Sequence, residues 1–289
     1  MLERSARLLA SLRRLTILSA CLVSFVPSVS ADGAGLIEIQ GQAVQGGLLI
    51  GRAPTDAQVE LDGEPLRHAA GGYFLIGFGR DETASRQLVV RAPDGAVEVR
   101  DLKPESREFD IQRIDGLPSS QVTPDPDSLA RIRREADQVR TARERLDDRT
   151  DFAGGFVWPV HGPITGVYGS QRILNGNPRS PHWGVDLAAP TGTPVIAPAA
   201  GVVTLAHPEM YFSGGTLMLD HGLGLSSAFL HLDEILVEPG QRVEQGELIA
   251  RVGATGRATG AHLDWRMNLG KTRVDPQLLM NEPPRVTGE

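Results

Sequence analysis

A chain of 289 residues has room for two modest domains once a leader and a linker are set aside. Hydrophobic residues at 40% and charged residues at 22% describe a globular protein rather than a disordered one. A net charge of -7 argues against a nucleic-acid binder, which presents a basic face, and against attachment to anionic lipid by charge.

The chain opens with Arg4, Arg7, Arg13 and Arg14, then an apolar run from Leu15 to Val26, then Pro27-Ser28-Val29-Ser30-Ala31. A basic start, a short apolar core and a small-x-small site predict a signal peptide over residues 1–31, cleaved after Ala31. The apolar run is too short to span a bilayer comfortably. The expected location is therefore outside the cytoplasm, in the periplasm or cell envelope. Cys21 is the single cysteine, and Leu18-Ser19-Ala20-Cys21 looks like a lipoprotein acylation box. Because the apolar run continues through Leu22, Val23 and Phe25, we read Cys21 as a small hydrophobe of the leader. A mature chain without cysteine has neither a thiolate nucleophile nor a cysteine zinc site.

Residues 32–114 read as a small β-sandwich-like domain. Leu36–Ile39, Gln58–Leu61, Tyr73–Ile76 and Gln87–Val90 are short strand-like runs, separated by turn signals at Asp62-Gly63, Gly71-Gly72 and Asp94-Gly95. No His, Asp or Glu cluster with ligand spacing occurs there, so a binding or spacer module is expected. Residues 115–150 combine a linker rich in proline and aspartate with a charged helix from about Ser128 to Arg149. Leu129, Ile132, Ala136, Val139, Ala142 and Leu146 give that helix one narrow apolar stripe. Such a helix lies on a neighbouring domain, and it could also restrain an active cleft. Residues 151–280 return to strands and turns and 281–289 form a tail, so the chain is mainly β.

Two histidine segments have ligand-like spacing. In His182-Trp183-Gly184-Val185-Asp186, glycine and flanking prolines argue for a loop leading into a strand. A His and an Asp four residues apart, with glycine allowing close backbone approach, can grip one cation from two sides. In Ala261-His262-Leu263-Asp264-Trp265, positions two apart on a strand share a face, so His262 and Asp264 point together. His231, among apolar neighbours in Ala228–Leu232, would by itself more often be a core histidine.

Together these segments resemble the lysostaphin-like, or LytM-domain, family of zinc peptidoglycan endopeptidases. The resemblance covers residues 156–279. It rests on His182-x-Gly184-x-Asp186, then Pro194-Val195-x-Ala197-Pro198-x-x-Gly201-x-Val203. His221-Gly222-x-Gly224 leading to Phe229-x-His231-Leu232 comes next, and Thr255-Gly256-x-x-x-Gly260-x-His262-x-Asp264 last. It implies a LytM-type β-sheet peptidase domain with zinc (Zn2+) bound by His182, Asp186 and Asp264. It makes His262 the general base and His231 the second catalytic histidine, with His221 structural. The implied substrate is a peptide bond, in stem or cross-bridge, of peptidoglycan.

The chain departs from the family where its usual His-x-His becomes His262-x-Asp264. A carboxylate oxygen binds zinc at roughly 2.0–2.2 Å, as imidazole nitrogen does. Two carboxylates would, however, leave the ion less able to activate water, which predicts optimal activity at higher pH than for a two-histidine site. Phe229 also stands where tyrosine is common. A rival reading keeps the fold without the chemistry: a regulator that binds cell wall and activates amidases, with an amidase or division partner held through the N-terminal domain or the helix. A biotinyl or lipoyl carrier, suggested by Val237–Gly246 and the strand after it, lacks a lysine in the required hairpin, Lys271 being the only one nearby.

Overall fold

The computed structural model describes residues 35–114, 126–174 and 176–285. The expected signal peptide with Cys21, the linker up to residue 125 and the last four residues lie outside the described residues.

Eight strands precede the helix: β1 (Glu38–Gln40), β2 (Leu48–Arg52), β3 (Gln58–Leu61), β4 (Glu64–Pro65), β5 (Tyr73–Gly77), β6 (Arg86–Arg91), β7 (Val97–Leu102) and β8 (Ile111–Ile114). Asp62 and Gly63 both take positive φ, 57° and 80°, which gives the two-residue turn from β3 to β4 the twist a hairpin needs. β1-β2-β5 form one sheet and β4-β3-β6-β7 another. Leu49, Phe74 and Ile76 of the first meet Val59, Leu61, Leu88 and Val90 of the second, making a small sandwich. Alternation along the strands sends Leu48 and Leu75 out of the opposite face of the first sheet. Both join the main core, which also holds Trp158, Leu263 and Trp265. The first sheet is thus a middle layer, covered on both faces.

The helix α1 (Pro126–Ala142) starts on a proline, which suits a first helical position. It ends seven residues short of the Arg149 expected from its stripe, and Leu146 is exposed. Tertiary bonds outcompete helix propagation there. Leu223 N–H donates to the Asp147 carbonyl (2.8 Å), Asp151 N–H donates to the His221 carbonyl (3.2 Å), and Arg149 pairs with Asp220. Among the described residues no helix is long and apolar enough to cross a membrane.

After the helix come β9 (Ile164–Gly166), β10 (Gln171–Leu174), β11 (Asn177–Pro178), β12 (Gly184–Ala188), β13 (Pro194–Ile196) and β14 (Gly201–Met210). They are followed by β15 (Gly214–Asp220), β16 (Leu225–Ile235), β17 (Arg242–Val243), β18 (Leu248–Val252), β19 (His262–Leu269) and β20 (Thr272–Val274). Ten of these form one sheet on the path β17-β14-β15-β16-β19-β12-β9, with β18 on β16, β13 on β18 and β20 on β19. One face of β19 carries Leu263, Trp265 and Met267 into the core, all fully buried. Burial of each large apolar side chain contributes roughly 1.5–3 kcal/mol, so this face anchors the sheet. The other face carries His262, Asp264 and Arg266. Opposite them on β16 stand Leu230 and Ala228, and α1 packs Val139 and Ala142 onto that apolar pair and Met218. The helix therefore lies on the same side of the sheet as the histidines and carboxylates.

Candidate metal centre and active site

The site begins with a register. β12 and β19 pair antiparallel with Asp186 directly opposite Asp264 and Gly184 opposite Arg266. Two carboxylates face to face repel one another unless something positive lies between them or beside them. Glycine is needed at two points. A Cβ on Gly184 would sit 2.8 Å from Asp264 Oδ1, and one on Gly166 would fall onto Asp186 Oδ2. Backbone thus approaches both carboxylates more closely than any side chain would permit.

His182 completes the group from the loop before β12. Its Nε2 lies 2.8 Å from Asp186 Oδ1 and 3.8 Å from Asp264 Oδ2. Its Nδ1 lies 2.8 Å from the Gly184 carbonyl and 3.2 Å from the Gly184 amide nitrogen. With Nδ1–H donated to that carbonyl, the Nε2 lone pair faces two carboxylates, an arrangement that calls for a cation between them. Donor atoms of His182, Asp186 and Asp264 all lie within 4.8 Å of one another. One imidazole and two carboxylates form a donor set that suits zinc, and three protein ligands leave a coordination position open. Burial opposes the charged form of His182, but the Asp186 bond and the Asp264 charge outweigh it and raise its pKa.

His262 and His231 stand next to this group. Nδ1–H of His262 donates to the Gly260 carbonyl (2.9 Å), which leaves its Nε2 3.9 Å from Asp186 Oδ1. Nδ1–H of His231 donates to the Thr255 carbonyl (2.8 Å), and the two rings lie 4.7 Å apart. The glycine-rich loop before β19 thus orients both imidazoles through its carbonyls. Thr255 is itself held, since its Oγ1 donates to the Leu232 carbonyl (2.8 Å) and accepts from Gly215 N–H (2.9 Å). His231 has φ of 65°, left-handed for a non-glycine residue, at the point where β16 leaves β19 for β18. Such strain costs on the order of 1–3 kcal/mol and concentrates at functional sites. It separates His231 from an ordinary core histidine. Burial holds its pKa below the usual imidazole value.

Arg266 is the residue that sequence reasoning missed. Its Nε lies 3.0 Å from each Asp264 oxygen and its Nη2 2.5 Å from Oδ2. Burial alone would push the Asp264 carboxyl up; the Arg266 charge and bonds reverse this and hold it low. The signal was available, since Asp264 and Arg266 are two apart on one strand. Arg143, just past α1, and Arg273 on β20 add further cations near Arg266. Burial and then repulsion by Arg273 and Arg266 press Arg143 down to about 10.

His221 lies away from this group, fully buried, with Nδ1–H donating to the Ala200 carbonyl and Nε2 accepting from Ser227 Oγ, both at 2.8 Å. Tyr168 donates its hydroxyl to the Arg273 carbonyl (2.8 Å) and Phe229 is buried in the core. Lys271 sits in the turn between β19 and β20, a hairpin position not expected from the sequence.

The profile of Peptidase family M23 matches residues 180–276, a span that contains all five expected site residues. An M23 peptidase structure from Pseudomonas aeruginosa superposes with a TM-score of 0.62 at 31% identity, covering 82% of this chain and 95% of that one. The chain belongs to peptidase family M23. Among M23 relatives, the peptidoglycan DD-endopeptidase ShyA of Vibrio cholerae is 30% identical over 200 residues, 66% of this chain and 42% of that protein. The cell division protein DipM of Caulobacter vibrioides is 32% identical over 133 residues, 44% of this chain and 21% of that protein. The chain spans less than half the length of the curated relatives it matches first. M23 membership, rather than any missing hairpin, is what disposes of the carrier reading for Lys271.

Proposed function

We propose that this protein is an exported zinc metalloendopeptidase that hydrolyses peptide bonds, in stem or cross-bridge, of peptidoglycan. The observation that carries this reading is the convergence of His182, Asp186 and Asp264 donor atoms within 4.8 Å. The endopeptidase activity named for ShyA supports the substrate class. A zinc ion held there supplies Lewis acidity and lowers the pKa of water. His262, whose Nδ1–H is committed to Gly260, offers Nε2 as the general base that takes the proton of the attacking water. His231 enters neutral with Nε2 as an acceptor, and after gaining a proton it can donate to the carbonyl oxygen or the leaving nitrogen. Leu230, opposite Asp264 in the sheet, packs with Ala228 and Met218 beneath α1.

The test is zinc content and release of muropeptides from purified cell walls, with and without chelator, for the wild type and Asp264→Ala. Loss of both metal and hydrolysis on substitution is the expected result. The similarity to DipM supports a second reading, an amidase-activating regulator. Amidase stimulation that persists after zinc is stripped, with no muropeptides released, would establish that reading instead.

A further inference from the structure

The metal group holds one more charge than three ligands account for. Asp264 is almost wholly buried, its side chain 3% exposed, and the Arg266 guanidinium lies against both of its oxygens. A surface ion pair could form or dissolve without consequence, but breaking a buried one leaves an uncompensated charge. The room for this pair comes from Gly184, where a Cβ would sit 2.6 Å from Arg266 Cγ. Glycine opposite the arginine, carboxylate two residues away and histidine beside it form one connected unit.

We propose that Arg266 is a positioning residue that sets the charge of the metal site. Acting through Asp264, against both of whose oxygens it lies, it cancels one of the two carboxylate charges. This rests on the zinc reading above. With Arg266 counted, a dication held by His182, Asp186 and Asp264 retains the net charge it would have beside two neutral imidazoles and one carboxylate. Two carboxylates by themselves favour an alkaline displacement of the pH optimum, and Arg266 opposes it.

The proposal predicts opposite movements in two measurements. A cation a few ångströms from a bound dication repels it, so deleting the charge should strengthen zinc binding. The same deletion leaves the dication more fully neutralised and therefore a weaker activator of water. A residue that merely supported the fold would weaken binding and turnover together.

The experiment uses the full chain, stripped with chelator and titrated with zinc at pH 8 against a chromophoric competitor, with hydrolysis of cell walls measured in parallel. Arg266→Gln is expected to bind zinc at least tenfold more tightly and to turn over about ten- to a hundredfold more slowly. Arg266→Lys should keep zinc affinity within about threefold of wild type, because the charge survives. Asp264→His alone should bind zinc poorly, since Arg266 loses its carboxylate, and the double variant Asp264→His/Arg266→Gln should recover affinity and rate. Arg143 and Arg273 are present in every variant, so the differences isolate Arg266. Weaker zinc binding by Arg266→Gln than by wild type overturns the proposal. Should Arg266→Gln fail to fold, an Asp264→His variant that binds zinc as well as the double variant overturns it instead. A wild type that takes up no zinc defeats the functional reading itself, and this proposal with it.

Discussion

The two faces of β19 are built from one strand under two different rules. Leu263, Trp265 and Met267 are fully buried against apolar neighbours, and their work ends with packing. His262, Asp264 and Arg266 alternate with them on the opposite face, where charges are brought together at the expense of stability. The apolar face has a partner for every surface it buries, and Trp265 even donates its Nε1–H to Ser227 Oγ (3.3 Å). The polar face pairs Asp186 with Asp264, a like-charge juxtaposition that a purely structural sheet would avoid. The contrast teaches that rigidity on one side is what permits frustration on the other.

The sharpest way to test the contrast is to damage each face separately. Asp264→Ala should lower cell-wall hydrolysis on the order of a thousandfold and remove the metal, while far-ultraviolet circular dichroism stays unchanged. Trp265→Ala, one residue away, should do the reverse. It removes a fully buried indole and should cost about 3–5 kcal/mol in denaturant unfolding, with zinc stoichiometry kept in the molecules that remain folded. If Trp265→Ala lost metal without losing stability, the division of labour would be wrong.

A pH-dependent comparison extends the argument to His221, the core histidine of the same domain. Burial drives its pKa from 6.5 down to about 4. Between those values the unfolded chain binds a proton that the folded chain refuses, so the contribution of His221 to stability is lost as pH falls through this window. Asp220 works against this in wild type, because burial pushes its carboxyl up to about 6 despite Arg149. Comparing wild type with His221→Asn removes the Asp220 contribution. The destabilisation caused by that substitution should shrink by about 3 kcal/mol between pH 7 and pH 4. A gap independent of pH would mean that His221 titrates alike in the folded and unfolded chain, and a gap that widened as pH fell would mean that the fold favours its protonated form.

The smallest effect expected is at Thr255. Replacing it by valine removes the acceptor of Gly215 N–H and should cost about 1–3 kcal/mol. Since Thr255 also carries the carbonyl that orients His231, kcat should fall with little change in KM. An unchanged kcat would show that the loop is held without its hydroxyl.

Much of this was legible in the residues themselves. Period-two alternation put His262 and Asp264 on one face, and Asp62-Gly63 encoded its turn, because these depend on chirality and local sterics. The residues His182, Asp186 and Asp264, whose donor atoms the fold gathers within 4.8 Å, were legible as candidates through spacing and family resemblance. Other features depended on partners distant in the chain. α1 stops at Ala142 because residues near Asp220 capture the segment after it, and Leu48 and Leu75 leave the small sandwich because a second core lies beyond it.

What the amino-acid order determined alone was therefore the alternation along each strand and the kinds of donor atom available. Only the tertiary structure decided that Asp186 would lie opposite Asp264, that His231 would sit at a strained crossing between strands, and that Arg266 would close on a carboxylate. The physical reason is range. Backbone preference is settled within a few residues, whereas strand register and the fate of a buried charge are settled by whichever distant segment packs against them.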